Sequence, residues 1–285
     1  LILQRAKLVN FKPGLYIVST PIGNLGDITL RALDILAGSD IIFCEDTRVS
    51  SKLLAKHSIK VPLKIYNDNS DETQRSYIKD LVFSGKVISL ISDAGTPLIS
   101  DPGYKLVREF REAGINVDVV PGPCAIIAAL SIAGLPTDRF VFAGFLPKTK
   151  EGKMRVFKEF ISLDATMIFY ETANRLLQSL EMAIEVFGDR VANVSRELTK
   201  LYQESKTAHL SELINYYTNN PAKGEIVLCI TGKSNRIVTE DILKRELESL
   251  LSSGESAKSA SDIAFTKYKN QYSRKEIYKL ANSLK

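Results

Sequence analysis

Two α/β domains followed by a small basic helical module are what the sequence predicts, on three observations. Over residues 13–121, short apolar runs alternate with amphipathic helical patterns, and the runs are continuous in Val, Ile and Leu. Strands of that kind are buried on both faces of a mostly parallel sheet. A second α/β pattern, more hairpin-like, covers 122–234, and a helical stretch rich in lysine closes the chain over 235–285.

The elements follow in order. LYIVST (15–20), DIIFCE (40–45), PLKIY (62–66), KVISLIS (86–92) and NVDVVP (116–121) read as strands, separated by helices near 28–37, 48–57, 71–84 and 103–113. PGPCAIIAALSIAGL (121–135) reads as a proline-opened apolar helix, RFVFAGF (139–145) and ATMIFYE (165–171) as strands, with a basic helix around 151–163 between them. ETANRLLQSLEMAIEVFG is a helix closed by Gly188 as a C-cap. VANVSREL and TKLYQESKTAH form a hairpin, a helix covers 209–219, and GEIVLCIT (224–231) is the last strand of a mixed sheet. GKSNR marks the boundary before the helical module.

Composition narrows the class. At 285 residues with 45% hydrophobic and 25% charged side chains, the chain has enough apolar mass for two cores. No apolar run reaches the roughly 18 residues of a membrane-spanning helix, and the opening LILQRAKLVNFKPG lacks a signal-peptide core, so no membrane partner and a cytoplasmic location are expected. Cys44, Cys124 and Cys229 are isolated and His57 and His209 are the only histidines, a set that suits a reducing compartment and offers no metal centre. The net charge is +5, and residues 256–285 carry seven basic side chains against two acidic ones, so the basic excess sits in the tail. A basic tail on a neutral body points to a polyanion, or to a solvated helical face.

Every unusual loop falls where a strand ends, the position at which open α/β sheets bind ligands. STPIGNLGDIT has Gly23 and Gly26 but no G-x-G-x-x-G, and Pro21 stands where a dinucleotide loop exposes N–H groups. A cofactor without phosphates fits better; S-adenosylmethionine, a sulfonium with an amino-acid end and an adenosine, is one. SDAGTPLISDPGY (92–104) packs prolines and glycines into a rigid backbone, with Asp93 at the strand end able to accept from ribose hydroxyls or an ammonium, or to cap its own loop. CEDTR (44–48) sets Glu45 and Asp46 beside Arg48, either as a local pair or as a substrate-facing group with one carboxylate as general base. FYETANR (169–175) and SRELTK (195–200) add Arg175, Arg196, Glu197 and Lys200. Lys148, Lys150, Lys153, Arg155 and Lys158 make a basic linker, and Tyr268, Tyr272 and Tyr278 interleave with the tail charges, either to stack on bases or to pack helices.

Together LYIVSTPIGNLGDITLRAL, CEDTR, SDAGTPLISDPGY, PGP, GLPTDRF, GFLP, FYE…R, RELTK and GEIVL resemble, over about residues 13–232, the ribosomal RNA small subunit methyltransferase I family, a branch of the tetrapyrrole methylase superfamily. The family usually reads YES-P-H-R where this chain has Tyr170-Glu171-Thr172-Ala173-Asn174-Arg175, and Asn174 cannot titrate. The resemblance implies a fold of tetrapyrrole-methylase type with S-adenosylmethionine in an inter-domain cleft, usually in a homodimer. The implied reaction is methylation of the ribose 2′-oxygen of a decoding-region cytidine in 16S ribosomal RNA of the small ribosomal subunit. It also implies cofactor contacts from Pro21, Asp93, Thr96, Cys124, Ala125, Tyr170 and Ile226. Glu45, Asp46 and Glu197 are the candidate catalytic acids, and Arg48, Asp101, Arg175, Arg196 and Lys200 the candidate substrate contacts. No metal is needed, because the sulfonium already activates the methyl group. Two alternatives stand beside this: a tetrapyrrole C-methyltransferase, which would carry GAGPGD-like and GGDP-type loops, and a non-catalytic rRNA-binding factor.

Overall fold

The structure, a computed structural model, describes residues 11–233, 239–269 and 271–284. The opening segment over 1–10, the boundary before the helical module and Lys285 lie outside the described residues. The chain divides into two compact units: the first runs to Ala129 and takes in Ser195–Glu204, and the second comprises Leu130–Val194 and everything from Ser205 onward.

In the first unit β1 (Gly14–Val18), β2 (Ile41–Cys44), β3 (Leu63–Ile65), β4 (Val87–Leu90) and β5 (Val117–Val120) form a sheet in the order β3-β2-β4-β1-β5. All four pairings are parallel. Side-chain alternation gives the sheet two buried faces. Tyr16 and Val18 pack with Leu33 and Leu36 of α1 (Leu30–Gly38) and Leu54 of α2 (Thr47–Lys56). Leu15 and Ile17 pack on the other side with Ile78 and Val82 of α3 (Glu72–Phe83) and Leu106 and Phe110 of α4 (Tyr104–Glu112). Helix starts are set by side-chain caps: Thr29 accepts from Ala32 N, Asp46 from Arg48 N and Asp71 from Gln74 N.

The strand order creates the place for a site. After β1 the chain moves toward the β3 edge, and after β4 it moves to the β5 edge, yet β1 and β4 are neighbours. Their outgoing loops therefore part, and such a switch point leaves a crevice at the carboxyl ends of the strands.

In the second unit β6 (Phe140–Phe145), β7 (Thr166–Thr172), β8 (Val191–Arg196), β9 (Glu204–His209) and β10 (Glu225–Ile230) are ordered β6-β7-β10-β8-β9. The sheet is mixed, with β6 and β7 parallel and β7 and β10 antiparallel. Met167 and Phe169 of β7 and Ile226, Leu228 and Ile230 of β10 meet Phe157 of α6 (Lys150–Glu159), Leu176 and Leu180 of α7 (Leu176–Phe187) and Leu213 of α8 (Leu210–Asn219). Two helices are shorter than the spacing predicts. The helix after Pro121 and Pro123 spans only Ala125–Ile132. Thr172 stays in β7 and Ala173–Arg175 forms a 3-10 turn, so α7 begins at Leu176; it ends at Gly188, φ 74°.

The C-terminal helices α9 (Glu240–Ser252), α10 (Ala257–Tyr268) and α11 (Arg274–Ser283), numbered after the Ala125–Ile132 helix, α5, and those above, enclose a core of their own around Leu243, Leu247, Ala260, Ala264, Tyr268 and Ile277. Ser273 and Glu276 form a capping box at the start of α11. Tyr268 is buried and its hydroxyl donates to Glu246, so it packs the helices together, whereas Tyr278 is exposed. Lys267 and Arg274 pair with Glu246 and Asp262 at 2.7 and 2.8 Å, which neutralises part of the basic tail. Among the described residues no helix is long and apolar enough to cross a membrane.

Candidate functional site

The loops after β1, β4 and β5 are knitted into one structure in the first unit. Thr20 and Gly95 exchange two backbone hydrogen bonds of 2.8 and 3.0 Å. Thr96 Oγ1 lies 3.0 Å from Ser19 Oγ and donates to the Pro123 carbonyl at 3.2 Å, tying the first loop to the second and the second to the third. Thr20 Oγ1 donates to Ser92 O at 3.1 Å. Close approach is what requires glycine here: a Cβ on Gly122 would sit 3.0 Å from Ser19 Cβ, and Gly95 has φ 84°. Leu98 and Ser100 are held at φ 74° and 65°, a region that L-residues occupy only when their surroundings force it. This brings Pro21, Thr96 and the segment carrying Cys124 and Ala125 together, with Pro21 buried and Cys124 partly buried.

Beside these loops lies a group of carboxylates at three strand ends: Glu45 and Asp46 after β2, Asp68 after β3, and Asp93 and Asp101 after β4. Burial pushes Glu45 above the ordinary carboxylate range, and Asp93, Asp101, Asp68 and Asp46 add to the shift by repulsion. Asp93 is likewise raised, first by burial, although it accepts a hydrogen bond from Asp46 N at 3.1 Å. Asp101 is raised by burial and by Asp93, against a hydrogen bond from Ser92. These acids are short of positive charge, and a cation would relieve all of them.

Asp46 is the exception. It caps α2, accepting from Arg48 N at 2.8 Å, and its carboxylate is gripped by the Arg48 guanidinium at 2.6–3.1 Å. Those bonds pull its pKa down to about 2, which makes it a weak base. They also occupy Arg48.

The Ser195–Glu204 segment closes over the first loop within the same unit. Thr199 Oγ1 accepts from Asn24 N at 3.0 Å, and a Cβ on Gly23 would fall 2.6 Å from Lys200 Cγ. That crowding, with Pro21, explains why the loop has glycine without a phosphate nest. Glu197 and Thr199 have φ 50° and 66°. Lys200 pairs with Glu197 at 2.9 Å and Arg196 with Glu204 at 3.1 Å, while Leu201 and Tyr202 stand out at the tip, 87% and 72% exposed.

In the second unit the candidate residues follow the alternation of β7. Tyr170 faces Phe142 and Phe145, with ring centroids 4.8 and 5.1 Å away. Ile226 is 2% exposed and lies in the helix-covered core, on a strand flanked by β7 and β8. Glu171 points the same way as Phe169, into that core, where Lys153 of α6 and Ser179 of α7 meet it. Lys153 is wholly buried and pairs with Glu171 at 3.0 Å. It therefore leaves the basic linker, whose exposed cations are Lys148, Lys150, Arg155 and Lys158. Arg175 Nη2 binds the other Glu171 oxygen at 2.7 Å.

Sequence reasoning overlooked Asp68 and misread Lys153. Asp68 ends PLKIYND, the same strand-end position that singled out Asp46 and Asp93. Lys153 lies four residues before Phe157 on one helix face, and Glu171 is the lone acid in the apolar run ATMIFYE; the two signals together would have paired them.

A family model described as Tetrapyrrole (Corrin/Porphyrin) Methylases matches residues 14–214. A ribosomal RNA small subunit methyltransferase I from Rickettsia prowazekii (strain Madrid E) is 54% identical over 274 residues, covering 96% of this chain and 98% of its own. A protein of the same name from Vibrio cholerae serotype O1 is 46% identical over 226 residues, 78% of each chain. Among solved structures, diphthine synthase is similar with a TM-score of 0.60 at 15% identity, covering 77% of this chain and 89% of its own. Uroporphyrin-III-C-methyltransferase from Thermus thermophilus is similar with a TM-score of 0.55 at 20% identity, over 78% and 95%. At such identities the structures speak to the fold alone. The family model and the long, highly identical relatives make the assignment: the chain belongs to the ribosomal RNA small subunit methyltransferase I family of the tetrapyrrole methylase superfamily.

Proposed function

We propose that this chain is an S-adenosylmethionine-dependent methyltransferase acting on the ribose 2′-oxygen of a decoding-region cytidine in 16S ribosomal RNA. The observation that carries the reading is the 54% identity, over nearly the whole of both chains, to a ribosomal RNA small subunit methyltransferase I. The donor set fits the cofactor: a cationic sulfonium and ammonium suit the under-neutralised acids at the switch point, and the first loop lacks the glycine fingerprint that a pyrophosphate uses. Pro21, Asp93, Thr96, Cys124 and Ala125 would hold it. Tyr170 and Ile226 would contribute from the second unit.

When bound, S-adenosylmethionine supplies an electrophilic methyl group. The chain's own work is to hold the ribose oxygen in line with it, a positioning effect of about 7–11 kcal/mol in favourable cases, and to accept the hydroxyl proton. Glu45 is the best placed of the three acids for the second task. Its raised pKa brings it closer to working pH, whereas Asp46 is bound by Arg48 and Glu197 by Lys200. The exposed cations of α6 and the C-terminal helices would hold RNA phosphates. The protein would act in the cytoplasm as a homodimer, which sedimentation at working concentration tests.

The decisive experiment is transfer of a labelled methyl group to isolated small ribosomal subunits, with the nucleoside identified by mass. A 2′-O-methylcytidine product is expected, and Glu45→Gln should lower kcat by about 10²–10⁴-fold. Cofactor binding without transfer to RNA would overturn the reading and favour a tetrapyrrole acceptor.

A further inference from the structure

A polar chain in the second unit runs from the buried core to the surface. Lys153 Nζ donates to Glu171 Oε2 at 3.0 Å, Ser179 Oγ at 2.5 Å and the Arg175 carbonyl at 3.3 Å. An ammonium has only donors, so these are its three bonds. Glu171 accepts on both oxygens: Oε2 from Lys153 and Ser179, Oε1 from Arg175 Nη2 at 2.7 Å and Thr172 N at 2.7 Å. Arg175 spends Nε on Thr172 Oγ1 at 2.8 Å and Nη1 on the Leu146 carbonyl at 3.4 Å. Thr172 Oγ1 lies 2.7 Å from Asn174 Oδ1, and Asn174 is exposed.

The direction of donation along this chain is fixed from its buried end. A guanidinium cannot accept, so Thr172 Oγ1 receives a hydrogen bond from Arg175. The Thr172 hydroxyl proton is then free to be given away, and the acceptor beside it is Asn174 Oδ1. With its oxygen turned inward, Asn174 presents both amide N–H groups to solvent. Flipping the amide would set two donors on Thr172 and leave the hydroxyl proton without that acceptor.

Resting on the methyltransferase reading above, we propose that Asn174 is an RNA-contacting residue that donates to an acceptor oxygen of the substrate. Thr172, Arg175 and the buried Lys153–Glu171 pair are positioning residues that hold its amide in that orientation. Arg175 then serves as the relay's middle link, its guanidinium turned toward Glu171, Thr172 and Leu146 more than toward solvent.

The test uses the full chain, S-adenosylmethionine and isolated small ribosomal subunits lacking the product methyl group. Asn174→Leu, close in size and without donors, should raise KM for the subunits about tenfold, the loss of one hydrogen bond to a charged or strongly polar acceptor. Its dissociation constant for S-adenosylmethionine should stay unchanged. Thr172→Val, which cannot relay, should share the KM defect, and Thr172→Ser, which keeps the hydroxyl, should restore it. Unchanged KM in Asn174→Leu overturns the contact, and equal KM values for Thr172→Val and Thr172→Ser overturn the relay. If the wild-type protein transfers no methyl group to RNA at all, the functional reading fails first and is recognised as such by that control.

Discussion

The two units treat their acids in opposite ways. In the second, Glu171 is fully buried yet surrounded by Lys153, Arg175, Ser179 and a backbone N–H. In the first, Glu45, Asp93 and Asp101 are only partly buried and are raised above the carboxylate range by burial and by neighbouring carboxylates. A satisfied buried pair orients its neighbours and resists change, because removing one partner leaves an uncompensated charge. An under-neutralised cluster costs folding stability and stores it as affinity for a cation. The lesson is that a charged residue's job is read from what is missing around it as much as from what is present.

Breaking the satisfied network should have the largest effect. Lys153→Met is expected to destabilise the chain by about 3 kcal/mol, measured by urea denaturation, since Arg175 remains to compensate part of the Glu171 charge. Lys153→Met with Glu171→Gln should recover part of that loss. A silent single variant would erase the contrast between the units.

Next comes the cation affinity. Asp93→Asn keeps the acceptor for Asp46 N but removes a charge, so calorimetry should show S-adenosylmethionine binding weakened about tenfold or more. Stability of the ligand-free protein should not fall with it.

The pH dependence carries the sign of each environment. Glu45, Asp93 and Asp101 bind protons more tightly folded than unfolded, so the stability their protonation gives is present below the ordinary carboxylate values, about pH 4, and is lost as pH rises through the raised ones. Asp46, at about 2, works the other way: its contribution is present above the ordinary value and lost as pH falls toward 2. These four groups together should therefore favour the ligand-free fold most where the two limbs meet, near about pH 4, as thermal melting would show. Glu45→Gln with Asp101→Asn should flatten the higher limb only.

The smallest effect sharpens the comparison most. Glu45→Gln alone should stabilise the ligand-free protein at neutral pH by up to about 0.5 kcal/mol, after allowing for solvent screening, while catalysis collapses. A destabilised variant would mean that Glu45 has a partner and does not belong with the unsatisfied acids.

Much of this was legible in the residues. Three strands of the first sheet announce themselves because LYIV and IIFC are continuously apolar, VISL is broken only by Ser89, and each ends in a loop of Pro, Gly, Ser or Asp. The loops around Pro21 and Asp93 were found by the same rule. What escaped is what depends on three dimensions. Lys153 has the local sequence of its exposed neighbours Lys150 and Lys158, and only the α6 face it shares with Phe157 separates them. Ile226 was legible as a strand residue but not which face it takes, since β10 is apolar on both sides. The difference between Asp46 and Glu45, adjacent in sequence, comes from one arginine and a helix cap.

The return of Ser195–Glu204 to the first unit has a consequence for how the protein is made. Ala129 and Glu204 are 75 residues apart. At roughly 5–20 residues per second of synthesis, that gap is about 4–15 s. A nascent chain can complete all five strands of its first sheet well before Thr199 and Lys200 exist to meet Asn24 and Gly23. The crevice's first loop is finished last, so a ribosome stalled before residue 195 would display the sheet with its binding edge still open.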